Sequence, residues 1–179
     1  MAGAGDSRFT TRLRLEPAGP ANALDLWLVH DDDEVWPWYG DEKPGLEQAE
    51  LRAKFMGDSW RCHGVCKWIA YDRVSGEVVG RGGLSRTPVD DDVWGRGYAS
   101  EIGRAGLAFA FDVLGVQAVV SCTVRHNVRS RAVMERIGMR YAGEIRSRGL
   151  VEGVEGEQDD APFAVCVLLR RDRDRANVA

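Results

Sequence analysis

Two glycines flank an arginine near the middle of the chain, and a helical pattern begins directly after them. The first N–H groups of a helix have no partner inside the helix, and the helix dipole makes that end positive. Such an end favours an anion, most naturally a phosphate or diphosphate. A glycine-rich turn that merely precedes a buried helix is the alternative interpretation. The residues concerned are Trp94, Gly95, Arg96, Gly97, Tyr98, Ala99 and Ser100.

A second block with chemical potential follows this helix, which the pattern ends at Gly115. The segment from Val116 to Val124 is rich in β-formers and predicts a buried strand. Asn127 then stands where it can cap a short helix, and Gly138 predicts the end of that helix. The order is therefore glycine turn, helix, strand, asparagine, short helix and glycine.

These two blocks resemble a known family. The run WGRGYAS and the later run HNVRSRAVMERIGMRYAGE resemble the GNAT superfamily of acyl-CoA-dependent N-acyltransferases, and within it the RimJ/RimL-like N-acetyltransferases. The runs TTRLRLEP and GEVVGRGGLSR also resemble that branch, so the similarity extends from about Thr10 to about Arg170. It implies an α/β fold of mixed α+β type, in which helices flank a central mixed β-sheet in a single domain.

The resemblance also implies roles for particular residues. The glycine turn Gly95 to Ala99 and the start of its helix would bind the diphosphate of coenzyme A, with Trp94 where the family usually has Gln or Arg. Asn127 would hydrogen-bond the pantetheine arm, and Ser130 would lie beside the thioester sulfur. Many relatives place a tyrosine acid where this chain has Met134. Ser130 is therefore the catalytic candidate, as proton donor to the leaving thiolate.

Aromatic residues cluster around a proline earlier in the chain. In GNAT folds this segment borders the acceptor site, so an aromatic wall for the substrate is one interpretation. A cap over the core is the other. The residues are Trp36, Trp38 and Tyr39.

One departure from the family concerns the strand that normally precedes the glycine turn. Between Leu84 and Trp94 the chain is too short for a strand end, a hairpin and another strand. Either the strand has been lost or a segment is absent from this sequence, and the second is preferred. The general base often comes from this region, which leaves Asp90 to Asp92, Glu144 and Glu34 as candidates.

The predicted function is transfer of an acetyl group from acetyl-CoA, as cosubstrate, to a primary amine of a protein N-terminus or a small molecule. A non-catalytic acyl-CoA-binding regulatory module is the alternative, because Met134 replaces the tyrosine and the preceding strand is abridged. A dinucleotide-dependent oxidoreductase is disfavoured, since Ser100 stands where that motif needs its third glycine.

Composition excludes several classes of partner and location. The net charge of −4 disfavours a nucleic-acid partner, and no apolar run approaches the length of a membrane span. No charged-then-apolar leader is seen, so a cytoplasmic location is expected. Cys62, His63 and Cys66 are too loosely spaced to predict zinc, and no metal site is expected. The aromatic content suggests a homodimer.

Residues 1–9 are predicted to be a disordered lead-in, 10–170 the folded domain and 171–179 a solvated charged tail. The pattern further predicts a strand over Thr11 to Leu15 and helices over Asn22 to Val29 and Glu47 to Met56. It predicts a hairpin in which Val65 to Tyr71 pairs with Glu77 to Leu84. The last strand pair is predicted over Met139 to Val151 and Pro162 to Arg170, and a mobile segment from Glu152 to Asp160 joins the two strands.

Overall fold

The computed structural model describes residues 7–33, 35–38, 43–85 and 98–176, which form two compact units divided between Ala105 and Gly106. The described strands are β1 (Arg8–Phe9), β2 (Leu13–Pro17), β3 (Lys67–Asp72), β4 (Val78–Gly83), β5 (Ala118–Val124), β6 (Arg140–Leu150) and β7 (Glu157–Leu169). The described α-helices are α1 (Ala23–His30), α2 (Leu46–His63), α3 (Tyr98–Ala108), α4 (Val128–Arg136) and α5 (Arg170–Ala176).

The first unit contains an antiparallel sheet in the order β1-β2-β3-β4. Leu13 and Leu15 alternate with charged residues along β2, and both leucines are fully buried, as a strand with one core-facing side requires. Helix α1 packs against α2 and β4. The predicted first helix and the β3–β4 hairpin are confirmed.

The expected lead-in of residues 1–9 is partly wrong. Arg8 and Phe9 form β1 and pair with Leu15 and Arg14 of β2. A two-residue strand has no periodicity to detect, and only its pairing partner reveals it. Residues 1–6 lie outside the described part of the chain.

Helix α2 is longer than the predicted Glu47 to Met56. It continues to His63 because Gly64 adopts φ +66° and donates its N–H to the Trp60 carbonyl at 2.9 Å, which ends the helix in a left-handed cap. The Trp60 indole N–H donates to the Lys67 carbonyl at 2.8 Å and so joins the helix end to β3. Cys62 is therefore an exposed helical residue, whereas Cys66 is buried.

The second unit holds a three-stranded antiparallel sheet in the order β5-β7-β6. Helix α3 ends in a π-helical turn over Phe109–Val113, and Gly115 follows at φ +70°. The core of this unit brings together Leu107, Phe111, Met134, Met139, Cys166 and Leu168.

Several predictions for the second unit need correction. Strand β5 has the predicted end at Val124, but it is not a buried strand, because Val120 is exposed and burial is confined to Thr123 and Val124. Strand β7 begins at Glu157, so the joint after β6 is shorter than the predicted Glu152 to Asp160. The charged tail is also partly helical as α5, and residues 177–179 lie outside the description.

The mixed α/β class is confirmed. Among the described residues, the strands pair antiparallel in a four-stranded and a three-stranded sheet. The interval from Arg86 to Gly97 lies outside the described residues. It includes the predicted abridged strand and most of the glycine turn.

A buried histidine in the first unit makes a pH-dependent contribution to stability. His30, in the last turn of α1, and Arg81, in β4, are both fully buried. Burial, together with the positive charges of Arg81 and Arg52, lowers the pKa of His30 to about 3 from 6.5. The unfolded chain therefore binds a proton at His30 below pH 6.5 that the folded chain does not bind.

We expect acidification from pH 7 to pH 5 to destabilise the protein through His30, because stability rises with pH wherever the unfolded state binds more protons. The slope from this one group is up to about 1.4 kcal/mol per pH unit below pH 6.5. Urea unfolding of the wild type and of His30→Gln at both pH values measures it. The variant should lose less stability than the wild type over this range, and equal losses would contradict the assignment.

Candidate functional site

The described part of the predicted diphosphate site is the first turn of α3. Tyr98, Ala99 and Ser100 form that turn, and Ser100 is buried. The amides at the start of an α-helix have no carbonyl one turn earlier inside the helix to receive them, which is why a helix start suits an anion. The remaining predicted residues of the site, Trp94 to Gly97, lie outside the described residues.

The Tyr98 side chain contacts two other residues of the first unit. Its hydroxyl donates to the Asp72 carboxylate at 3.1 Å, and the Arg12 guanidinium lies 4.6 Å from the ring centroid. Amide N–H groups of Ser75 and Val74, and then the Tyr98 hydroxyl, lower the pKa of Asp72 by hydrogen bonding to its charged form. These contacts engage the Tyr98 side chain with Asp72 and Arg12.

Asn127 caps α4, as the sequence predicts. Its side-chain Oδ1 accepts a hydrogen bond from the backbone N–H of Ser130 at 3.0 Å, and its backbone N–H donates to the Val124 carbonyl at 2.9 Å. The residue is only 5% exposed. The short link between β5 and α4 therefore fixes this side chain at the junction of strand and helix.

The cap occupies only one end of the Asn127 side chain. The Oδ1 atom receives the Ser130 amide, whereas the Nδ2 group makes no hydrogen bond to any other described residue. A side-chain amide carries two N–H donors on that nitrogen. Asn127 can therefore cap the helix and still donate to a carbonyl of a bound ligand.

Ser130 lies in the first turn of α4 and is half-buried. Its hydroxyl makes no hydrogen bond to another described residue, so the proton is available for transfer to a ligand atom. Met134, one turn later, is 5% exposed within the core of the second unit. The position that carries a tyrosine in many relatives is thus a packing position here.

The predicted aromatic wall is described only in part. Trp36–Trp38 form a single 3-10 turn, whose start is set by the amides of Val35 and Trp36 donating to the Asp32 carbonyl. Trp36 is half-buried. Tyr39 and the surroundings of the Trp38 side chain lie outside the description, so the acceptor role of this segment stays a prediction.

Among the candidate bases, only Glu144 belongs to the described residues. Its carboxylate lies 3.7 Å from the Arg125 guanidinium, and its side chain is about one third exposed. Asp90 to Asp92 and Glu34 lie outside the description.

Sequence reasoning missed one set of residues at the start of α3. The Glu101 carboxylate accepts hydrogen bonds from the Thr10 hydroxyl at 2.5 Å and from the Arg12 amide at 2.9 Å. By local position, Glu101 is only a residue in the first turn of a helix, and Arg12 is only a charged residue beside a strand. Nothing local connects two residues that lie 89 positions apart.

The predicted diphosphate residues at α3 belong to the first unit, and Asn127 and Ser130 belong to the second. Comparison with known proteins establishes the family. The family profile described as "Acetyltransferase (GNAT) domain" matches residues 12–140, well over half of the chain. The chain belongs to the GNAT acetyltransferase family. It is an acyltransferase enzyme, and GNAT enzymes take the acetyl group from acetyl-CoA.

Individual relatives of this GNAT acetyltransferase are distant. An uncharacterised protein of Bacillus subtilis, YkkB, is 27% identical over 76% of this chain and 87% of its own length. The FsC-acetyl coenzyme A-N(2)-transacetylase of Aspergillus fumigatus is 26% identical over 74% of this chain, and the matched region spans 64% of that enzyme.

A solved structure supports the fold of the GNAT domain. The putative ribosomal-protein-serine acetyltransferase of Vibrio cholerae superposes with a TM-score of 0.73 at 19% identity, covering 91% of this chain and 97% of that one. At this identity the likeness concerns the fold. Across the described residues, no helix combines the length and apolar character needed to cross a membrane.

Proposed function

We propose that this GNAT enzyme is an N-acetyltransferase of the RimJ/RimL-like branch that acetylates a primary amine by direct attack on acetyl-CoA. The acceptor is a protein N-terminus or a small-molecule amine. The observation that carries the proposal is the Asn127 side chain, whose cap leaves the amide N–H groups to bind the pantetheine arm. The relative named as a ribosomal-protein acetyltransferase and the one named as an N(2)-transacetylase support the two acceptor classes.

The reaction needs few groups from the protein. The amine nitrogen forms a bond to the acetyl carbon, the carbon–sulfur bond breaks, and the nitrogen loses a proton to a base. Holding amine and thioester together supplies much of the rate enhancement, on the order of several kcal/mol. The first-turn amides of α3 would bind the diphosphate, Asn127 would hold the pantetheine, and Ser130 would donate a proton to the departing sulfur.

We expect Ser130→Ala to lower kcat about tenfold while changing the KM for acetyl-CoA little. Proton transfer from a positioned side chain usually contributes more, but a thiolate is a good leaving group and needs less help. Steady-state kinetics of Ser130→Ala beside Ser130→Thr, which keeps the hydroxyl, tests this. An unchanged kcat in Ser130→Ala would rule out the hydroxyl as the proton donor.

The function itself is tested by calorimetry with CoA and by thiol release from acetyl-CoA. A panel of peptides with free N-termini and of small polyamines and amino sugars distinguishes the two acceptor classes. Turnover with one class identifies the acceptor. Binding of CoA without turnover on any amine would favour the non-catalytic module, and absence of CoA binding would overturn the proposal. The cytoplasmic location and the homodimer stay predictions.

A further inference from the structure

Both oxygens of the Glu101 carboxylate accept hydrogen bonds from residues near the start of the chain. Oε1 accepts from the Thr10 hydroxyl at 2.5 Å and from the Arg12 amide at 2.9 Å. Oε2 accepts from Arg12 Nε at 2.8 Å and lies 2.7 Å from a terminal nitrogen of the same guanidinium. We name Thr10, Arg12 and Glu101 the α3 latch.

The turn between β3 and β4 contacts the α3 latch. Arg73 donates its amide to the Arg12 carbonyl at 2.9 Å and its guanidinium to the Thr10 carbonyl at 2.8 Å. Tyr98, one turn before Glu101, stacks under Arg12 and donates to Asp72. Two separate segments of the first unit therefore hold both ends of the first turn of α3.

A carboxylate in the first turn of a helix stabilises that helix, because it lies near the positive end of the dipole. The same charge would repel an anionic ligand bound at those amides unless a cation offsets it. Burial alone would raise the pKa of Glu101, and the hydrogen bonds from Thr10 and Arg12 outweigh that effect and lower it. The carboxylate is thus ionised at neutral pH, and the Arg12 guanidinium offsets its charge.

We propose that Glu101, held by Arg12 and Thr10, is a positioning residue that fixes the first turn of α3 in the orientation needed to bind the diphosphate of CoA. The inference rests on the proposed CoA site. A turn that is already ordered does not lose conformational freedom when the ligand binds, so more of the interaction energy appears as affinity. Glu101 itself need not touch the ligand, since its oxygens are engaged by Thr10 and Arg12.

The test compares a ligand with a diphosphate and one without. Glu101→Gln removes the ion pair and one acceptor oxygen but keeps the side-chain shape. We expect it to raise the Kd for CoA about five- to tenfold, as loosening one or two ordered side chains would. The Kd for pantetheine, which lacks the diphosphate, should change less than twofold. Calorimetry measures the Kd for CoA, and ligand-observed NMR measures the Kd for pantetheine.

Three further variants separate positioning from simple loss of folding. Thr10→Val removes one donor to Glu101, whereas Thr10→Ser keeps it and should bind CoA as the wild type does. Asp112→Asn is the matched control, because it removes a comparably short carboxylate–arginine pair, Asp112 with Arg173 at 2.5 and 2.7 Å, in the second unit. That variant should leave the Kd for CoA unchanged.

The outcomes are distinct. A loss of CoA affinity in Glu101→Gln and Thr10→Val, with pantetheine binding kept, supports the proposal. Equal losses for both ligands, or unchanged CoA affinity, overturn it, and Thr10→Val alone decides if Glu101→Gln does not fold. A wild-type protein that fails to bind CoA would instead overturn the proposed function.

Discussion

Asn127→Asp is expected to weaken acetyl-CoA binding about 10- to 100-fold without unfolding the protein. Aspartate caps a helix as well as asparagine does, so the bond from the Ser130 amide is kept. It has no side-chain N–H, however, and the hydrogen bond proposed for the pantetheine arm is lost. Leaving a buried partner unsatisfied costs about 1–3 kcal/mol. The KM for acetyl-CoA and the Kd for CoA measure the effect.

Asn127→Ala is the comparison that separates the two roles. It removes the cap and the N–H donors together, so it should lose about 1 kcal/mol of unfolding free energy in addition to the affinity. Asn127→Asp should stay within about 0.5 kcal/mol of the wild type in urea unfolding. If Asn127→Asp binds CoA normally, Asn127 is only a cap, and the central observation behind the proposed function is lost.

Gly83→Ala is expected to have the largest effect on stability, about 3–5 kcal/mol, because two penalties add. Gly83 ends β4 with φ +135°, a region that other residues rarely adopt. A Cβ there would lie 2.7 Å from a ring carbon of Trp68 and 3.2 Å from the Cys66 carbonyl oxygen. Trp68 is fully buried, so its ring has no room to move away.

Gly76→Ala isolates the backbone part of that cost. Gly76 also has a positive φ, +76°, but a Cβ there would meet no atom within 4 Å. We expect it to cost only about 1–2 kcal/mol. Urea unfolding of both variants gives the comparison. Equal losses in the two would show that the contact with Trp68 contributes nothing.

Local signals predicted an element well where the hydrogen bonds that define it are themselves local. Asn127 and Gly138 bracket α4 as expected, because a cap and a left-handed glycine act on residues within one turn. The β3–β4 hairpin follows from its polar turn for the same reason, with Asp72 accepting from the Val74 amide at 2.8 Å. The family resemblance was carried by these same short-range patterns.

The charged tail shows where local signals fail. Its composition indicated a solvated coil, yet it begins α5. Arg170 donates to the carbonyls of Val116 and Phe111, and Arg173 pairs with Asp112. These partners lie 54 to 61 positions earlier in the chain. A helix held by such contacts cannot be distinguished from a loose tail by composition.

The candidate site likewise contains some features set by local sequence and others set by long-range contacts. The amino-acid sequence by itself determined the helix α3, the capping asparagine and the serine three residues after it, because these depend on backbone conformation and on neighbours within a few residues. Only the tertiary structure decided that Met134 is a core residue and that Glu101 is held by Thr10 and Arg12. Those outcomes depend on which distant segments pack together, and chain folding sets that through burial and long-range hydrogen bonds rather than through residue spacing.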